Sequence, residues 1–387
     1  MKLCYFANDA GYFALHWLER AQAAQLAGYE VHLLAGVSNN ASLQRLRDAG
    51  IICHSLALRS HARNPFNLLR GAWQAIRVIH SLQPDLIHSI TLKPCLIGAW
   101  LARRYPSVLC FPGLGRLFTF SSLPARLLRG LACRWWRSAT EQSSCILAFE
   151  HEGDRQTLLE MARLDKNKTF VIGVSGVDPD LFSFTPPQQV SPPVVLFAAR
   201  LIKAKGLDTL VRICQRLRND GIPHSLIVAG LPVPGDPDAI EQAQLQRWLE
   251  AGDIDSYGVS DDMPSLLARV SMVVLPTRYA EGVPRILLEA ASCGRPSIAF
   301  NQGGCSTVLQ SGACGTLVPV GDEQAFYEAM CRMLNDSALR SQMGIAGREL
   351  VVRSFTSLHA SRQMLRCYEM LNANPLATNN IIHGSQP

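Results

Sequence analysis

The sequence predicts an α/β fold of two tandem Rossmann-like domains, and three observations carry that expectation. Short apolar runs alternate with amphipathic segments along most of the chain, the pattern of a parallel sheet covered by helices on both faces. The alternation stops once, at the polar, proline-rich "FSFTPPQQVSPP" of residues 182–193, and then resumes. The length, 387 residues, exceeds what one hydrophobic core usually holds. Ligands of open α/β sheets bind at the carboxyl edge of the strands, so the two domains are expected to face each other across a cleft lined by both edges.

In chain order, "KLCYF", "VHLLAG", "ICHSLAL", "DLIHS", "SVLCF", "CILAF" and "TFVIG" read as the strands of the first domain, residues 1–182. Amphipathic helices are expected between them, over 14–27 and 67–82 among others. Residues 183–193 read as a linker. The second domain, 194–355, carries "VVLFAAR", "HSLIVAG", "SMVVLP", "PSIAF" and "GTLVPV", with helices near 206–219, 239–251 and 284–294. A helix over 356–371 follows and is expected to return to the first domain. The last stretch, 372–387, has no periodicity and reads as a flexible tail.

Composition narrows the function. Hydrophobic residues make up 48% and charged residues 18%, without an apolar run near the ~20 residues of a membrane span. The first residues lack the apolar core of a signal peptide. Twelve cysteines lie scattered with no CxxC pair, and the ten histidines show no HExxH spacing, so the expectation is reduced thiols, no metal and no cofactor. The net charge of +6 is uneven: residues 1–180 hold 20 Lys and Arg against 13 Asp and Glu, the remainder 17 against 18. From Asp85 to Glu141 no acid intervenes, while Lys93, Arg103, Arg104, Arg116, Arg126, Arg129, Arg134 and Arg137 do.

Four stretches bear chemistry. In "YAEGVPRILLEAASCGRP" Gly282 allows a tight turn and Pro284 suits the first turn of a helix. The N–H groups of about residues 283–286 then form a terminus with roughly half a positive charge, suited to phosphate. Glu281 beside a phosphate is unfavourable unless it meets sugar hydroxyls, and Glu289, two turns on, can accept hydrogen bonds from a ribose; a capping acid and a solvated Glu is the plainer alternative. In "FAARLIKAKG", Arg200 ends a strand and Lys205 precedes the helix that Gly206 opens. A planar fork and a point charge divide well between two phosphates, though a solvated surface pair has the same spacing. In "FNQGGCSTV", Gly303 and Gly304 fit close approach to a ligand, or a plain turn. "GDIDSYG" holds Asp253 and Asp255 in a DxD pattern, but after a helix and with no strand delivering it, so it reads as a solvated turn.

Glu281 and Glu289 with seven residues between them, together with Arg200 and Lys205 at the end of the second domain's first strand, resemble the family 4 retaining glycosyltransferases. "DLIHSITLKP", "IGVSGVDPDLF" and "YGVSDDMPSLLARVSMVVLP" follow in family order, so the resemblance spans nearly the whole chain. "HSITLKP" with "FPGLGRLF" is similar to the branch that extends undecaprenyl-diphosphate-linked sugars for surface polysaccharides. The resemblance implies the GT-B fold. It implies that Arg200 and Lys205 hold the donor diphosphate, that Glu289 binds the nucleotide ribose and that Glu281 contacts the transferred sugar beside the Gly282 and Val283 amides. Gly11, in the first strand–helix loop, approaches donor phosphate or acceptor, and His88 lines the acceptor side. By itself a His at a strand end is as well read as a packed core residue. Ala204, Asn301 and Ser306–Thr307 depart from the family pattern at positions that bear on the donor sugar.

Between Phe111 and Arg137 the arginines alternate with Phe118, Phe120, Leu127, Leu128, Trp135 and Trp136. A helix near 124–138 would show an apolar stripe flanked by cations, as an interfacial helix does on an anionic leaflet; burial of that stripe in the first domain is the alternative. No nucleic-acid-binding motif is present. The expected partners are therefore a nucleotide-sugar donor, a lipid-linked saccharide acceptor and the anionic inner face of the plasma membrane. A nucleotide-sugar epimerase of similar fold, or a non-catalytic nucleotide-sugar-binding subunit, are the competing expectations.

Overall fold

A computed structural model describes residues 1–57, 65–119, 122–142, 144–186, 191–233, 235–260, 262–279 and 282–372. The chain forms two compact units, one of residues 1–175 with the segment from Ser357 onward, the other Gly176–Thr356.

The first unit is built on β1 (Lys2–Asp9), β2 (Glu30–Gly36), β3 (Ile52–Leu56), β4 (Leu86–Ile90), β5 (Ser107–Phe111), β6 (Cys145–Phe149) and β7 (Thr169–Val171). They pair in parallel in the order β3-β2-β1-β4-β5-β6-β7, which reverses between β1 and β4. β1 shows why its run is apolar throughout: Leu3, Tyr5 and Ala7 face one packed layer, Cys4 and Phe6 the other. The helical pattern over 14–27 resolves into two helices, Ala10–His16 and Leu18–Leu26, broken at Trp17. The first begins directly after the strand because the Asp9 carboxylate accepts the Tyr12 N–H at 3.0 Å, a side-chain cap.

The C-terminal helix, Ser357–Asn372, returns to this unit and buries Met364, Cys367, Tyr368 and Leu371 against Leu3 and Tyr5. Its anchor is a polar chain inside the core. The Tyr368 hydroxyl lies 2.6 Å from His88 Nδ1 and donates to the Tyr5 hydroxyl at 3.0 Å, which donates to the Met364 sulfur. His88 is therefore not at a strand end facing an acceptor. It sits in the middle of β4, fully buried among Tyr5, Trp17 and Tyr368. Burial, with Arg20 nearby, lowers its pKa to about 3, so it is neutral. Its Nε2 has no partner among the described residues. A proton on Nδ1 gives every hydroxyl of the chain an acceptor.

The second unit holds β8 (Val194–Arg200), β9 (Ser225–Leu231), β10 (Ser256–Gly258), β11 (Met272–Leu275), β12 (Ser297–Phe300) and β13 (Gly315–Val318), all parallel in the order β10-β9-β8-β11-β12-β13. Here the order reverses between β8 and β11. The sequence places the end of the first domain at 182 and a linker after it, but the structure moves the crossing to 175/176. Val177 N–H donates to Phe355 O at 3.0 Å, and the carbonyl of buried Phe182 accepts from Ser292 Oγ at 2.7 Å and Arg348 at 2.9 Å. Residues 183–186 are fastened too: Arg295 donates to the Thr185 carbonyl at 2.9 Å, and Phe184 packs on Gly294. A polar, proline-rich composition marks an absence of regular structure; it does not mark an absence of contacts. Residues 187–190 and the tail from 373 lie outside the described residues.

Tyr368→Phe leaves two buried polar groups short of a partner. It is expected to lower the stability of the first unit by about 1–3 kcal/mol, read as a shift in its unfolding transition in urea.

Candidate active site

The second sheet reverses direction between β8 and β11, and the loops at the carboxyl ends of those strands are fastened together. After β8 the chain passes through a short 3-10 turn, Lys203–Lys205, to Gly206. Gly206 has φ +83°, and a Cβ there would run into the Pro276 carbonyl oxygen just beyond β11. Only glycine meets both demands. Beside this contact the Arg278 N–H donates to Ala204 O at 2.8 Å. From the other side the loop before Gln242 holds the same turn: Lys203 N–H donates to Asp238 O at 2.8 Å, and Ala204 N–H to the Asp238 carboxylate at 3.1 Å.

Arg200 and Lys205 converge on one aromatic ring. The Arg200 guanidinium carbon and the Lys205 Nζ each lie 5.5 Å from the ring centroid of Tyr279. Lys205 is only 5% exposed, so the expectation of a solvated surface pair fails for it. Tyr279 has its own N–H donated to Thr277 Oγ1 at 3.2 Å.

The next strand adds the third side. Gly303, with φ +54°, and Gly304 follow β12, and a Cβ on Gly304 would lie 2.5 Å from the Val283 nitrogen. At Gly304 the close approach is to the Gly282–Val283 backbone. The helix after β11 runs Arg285–Ser292 with Pro284 as its N-cap, so its open N–H groups begin at Arg285 and not at 283. Glu289 is buried on this helix, and its Oε1 accepts from Arg285 Nε at 2.7 Å. Burial raises its pKa, and Arg285 pulls it back. Arg200, Lys205, Gly282, Val283, Gly303, Gly304 and Glu289 accordingly belong to three neighbouring strand ends and one helix. Glu281 lies outside the described residues.

The remaining sites of the sequence reading lie elsewhere. Gly11 is in the first turn of helix 10–16, not in a loop, and a Cβ there would lie 3.0 Å from an Asp9 carboxylate oxygen. Of the DxD pair, Asp255 is exposed as a solvated turn requires, but Asp253 is not. Asp253 is buried, with Arg218 at 2.8 Å and Gln215 at 2.8 Å, and Asp255 accepts the Leu226 N–H at 2.5 Å. Sequence reasoning missed Tyr279, Asp238 and Arg285. Only the last had a signal, its i,i+4 spacing from Glu289.

In the first unit the cationic helix runs Leu123–Thr140. Trp136 is buried, but Leu123, Leu127, Leu128 and Leu131 are 57–68% exposed, so the apolar stripe does not enter the core. Trp135 links this helix to Leu92–Leu101 by a 2.9 Å bond to Leu96 O, and Trp100 there meets His80 of helix Pro65–Leu82. Trp73, Leu96 and Trp100 on those two helices are exposed as well. Phe120 lies outside the described residues. Among the described residues no helix is long and apolar enough to cross a membrane.

Comparison with known proteins places this geometry. Solved structures share the fold over nearly the whole chain. Sucrose-phosphate synthase from Thermosynechococcus elongatus has a TM-score of 0.77 at 19% identity, covering 96% of this chain and 100% of its own. Anabaena HepE, in complex with UDP, has a TM-score of 0.75 at 19% identity, covering 95% and 100%. Two all-parallel α/β units of this kind are the GT-B fold of glycosyltransferases. Residues 2–137 match the family described as "Glycosyl transferase 4-like" and residues 192–336 "Glycosyl transferases group 1", between them well over half of the chain. The chain belongs to these group 1, 4-like glycosyltransferases.

Among curated relatives, the alpha-D-kanosaminyltransferase of Streptomyces kanamyceticus is 25% identical over 46% of this chain and 45% of its own. The amylovoran biosynthesis glycosyltransferase AmsK of Erwinia amylovora is 25% identical over 56% of each. The chain thus spans about half the length of these two. The N,N'-diacetylbacillosaminyl-diphospho-undecaprenol alpha-1,3-N-acetylgalactosaminyltransferase of Campylobacter jejuni is 24% identical over 77% of this chain and 80% of its own.

Gly206→Ala is expected to destabilise the second unit by well over the ~1 kcal/mol of a positive-φ alanine, because the carbonyl clash adds to the backbone strain. Gly252→Ala, at φ +69° with open space around it, carries the strain alone. Comparing the two unfolding midpoints separates the contributions.

Proposed function

We propose that this protein transfers a sugar, with retention of configuration, from a UDP-linked donor to an undecaprenyl-diphosphate-linked saccharide in surface polysaccharide synthesis. The observation that carries the reading is the convergence of Arg200 and Lys205 on Tyr279 at the point where the second sheet reverses, the edge at which such sheets take ligands. Breaking the bond between sugar and diphosphate leaves negative charge on the departing phosphates. A guanidinium, an ammonium and the open N–H groups of helix 285–292 supply positive charge already in place, and preorganised charge of this kind stabilises a transition state without reorganisation. The protein itself thus provides the charge that a metal ion provides elsewhere, so neither metal nor cofactor enters this proposal.

Glu289, held by Arg285, accepts the ribose hydroxyls. Glu281, with the Gly282 and Val283 amides, meets the transferred sugar, and Gly303 and Gly304 border the same edge. Gly11, in the first turn of the helix after β1 where the strand order of the first sheet reverses, approaches acceptor or donor phosphate. His88 has no part in the reaction, being buried and engaged with Tyr368. The acceptor proton passes to the leaving phosphate on the face it departs from. UDP is favoured as carrier because HepE binds it on the same fold, and the lipid acceptor because the Campylobacter relative acts on one.

Lys205→Ala should abolish transfer from UDP-sugars to lipid-linked acceptor, measured by mass spectrometry of membrane extracts, with the fold intact by circular dichroism. Full activity in that variant would refute the diphosphate role.

The exposed leucine stripe and the acid-free run around it favour a peripheral place on the anionic inner leaflet, with each basic residue near the surface adding about 1 kcal/mol. Leu127→Asp with Leu131→Asp should release the protein from vesicles rich in phosphatidylglycerol, followed by co-sedimentation. Unchanged sedimentation would remove the membrane from the proposal.

A further inference from the structure

We propose that Glu150 is an acceptor-binding residue: its carboxylate, fixed on one side by Arg20, accepts a hydrogen bond from a hydroxyl of the acceptor saccharide. The inference rests on the transfer to a saccharide proposed above.

Glu150 is the first residue beyond β6, at the carboxyl edge of the first sheet, where open α/β sheets take ligands. Its carboxylate is buried but only half engaged. Arg20 Nη1 donates to Oε1 at a long 3.3 Å, while Arg20 Nη2 is directed to the Gly173 carbonyl at 2.8 Å. A pair that serves only to neutralise charge sets both guanidinium nitrogens on both oxygens. Among the described residues Oε2 accepts no hydrogen bond, and the side chain keeps 10% of its surface open. Asp253, equally buried in the second unit, has both oxygens taken, Oδ1 by Arg218 and Oδ2 by Gln215, each at 2.8 Å. Arg20 is itself buried and packed over the Trp17 ring at 4.5 Å. Glu150 is thus held in place without being saturated.

The charges nearby decide what the open oxygen takes. Arg20 offsets the carboxylate, so a second cation finds little net attraction, and a phosphate is repelled by the oxygen it would touch. Asp154, the next acid, lies 3.1 Å from His151 Nε2 and stands in the first turn of helix Glu152–Ala162, where an acid is favourable. A neutral donor remains, and a carboxylate is a strong acceptor for a hydroxyl. On the neighbouring strand end Gly173 has φ +72° and open space where a Cβ would stand, so no side chain closes that side. A sugar hydroxyl meets these conditions. A buried oxygen of this kind also selects, because a ligand lacking the hydroxyl would leave the carboxylate unpaired.

The test is kinetic, on the full chain, with the UDP-sugar that the parent transfers and a membrane extract as the source of lipid-linked acceptor, titrated at saturating donor. Glu150→Gln leaves Arg20 an oxygen to bond and removes the charge. It should raise the acceptor KM about tenfold, keep donor KM and kcat within about twofold, and leave calorimetric binding of UDP unchanged. Glu150→Asp retains the charge but draws it back by one methylene, and it should raise the acceptor KM as well. Were Glu150 only a counter-charge for Arg20, Glu150→Asp would restore what Glu150→Gln loses, and the loss would lie in the unfolding midpoint. An acceptor KM restored by Glu150→Asp, or UDP binding that weakens in step with acceptor use, therefore overturns the proposal. If Glu150→Gln does not fold, Glu150→Asp decides by the same measure. A parent that transfers nothing to lipid-linked acceptor defeats the acceptor reading and this inference with it. A parent that transfers, with both variants at its acceptor KM, defeats the role of Glu150 alone.

Discussion

The geometry of the candidate site depends on one close approach: Gly206 against the carbonyl oxygen of Pro276. It brings the backbone after β8 onto the backbone after β11 with no side chain between. The Arg278–Ala204 hydrogen bond locks the contact, and the approach of Gly304 to Val283 repeats it one strand further on. The cationic side chains thus hang from backbone that parallel pairing and two glycines define. A free lysine side chain has about 2 kcal/mol of rotamer entropy to lose when it is fixed on a ligand. A lysine already buried and seated against a ring loses most of that on folding, before any ligand arrives. That is the physical content of preorganisation here.

Both units pair their buried acids with arginines. In the first, Arg20 is 3.3 Å from Glu150, donates to Gly173 O at 2.8 Å and lies over the Trp17 ring at 4.5 Å. Burial raises the Glu150 pKa, and the adjacent Arg20 opposes the rise. In the second unit Asp253 is likewise paired with Arg218, and Glu289 with Arg285. Such pairs gain little net stability, since desolvation offsets attraction, but removing one partner is costly, so they fix geometry. Arg200 and Lys205 share a contact of another kind, with the aromatic ring of Tyr279.

Much of this was legible in the chain. The parallel sheets follow from apolar runs too continuous for one-sided strands, and Arg200 and Lys205 stand out because a strand end and a helix start flank them. What escaped has a common cause, contact between residues distant in sequence or geometry that spacing does not encode. Tyr368 reaches His88 across 280 positions, and nothing local to "DLIHS" distinguishes a packed histidine from a catalytic one. Tyr279 is an ordinary turn aromatic until two loops from different strands are laid together. The glycines of "FNQGGCSTV" suggested close approach to a ligand, and at Gly304 the place of a Cβ is taken by the neighbouring Val283 backbone. Asp253 and Asp255 mimicked a metal motif because two acids in a turn have the same spelling whether they face water or an arginine.

The exposed leucines of helix 123–140 follow a different logic. Each forgoes about 1.5–3 kcal/mol that burial would return, although its helix already packs Trp136 and Cys133 into the core. Single exposed apolar residues are ordinary; a run at 123, 127 and 131 with Leu128 beside it is a contiguous apolar stripe. The helices next to it add Trp73, Leu96 and Trp100, and the whole stretch from Asp85 to Glu141 is free of acid. A protein partner would have to supply a matching apolar groove rimmed with acids. An anionic leaflet supplies both properties at once and, on the proposed function, also carries the acceptor. Affinity for it should then fall with salt through the arginines while the leucine contribution persists, since screening acts on charge and not on apolar area. That combination tells a lipid surface from simple adhesion between opposite charges.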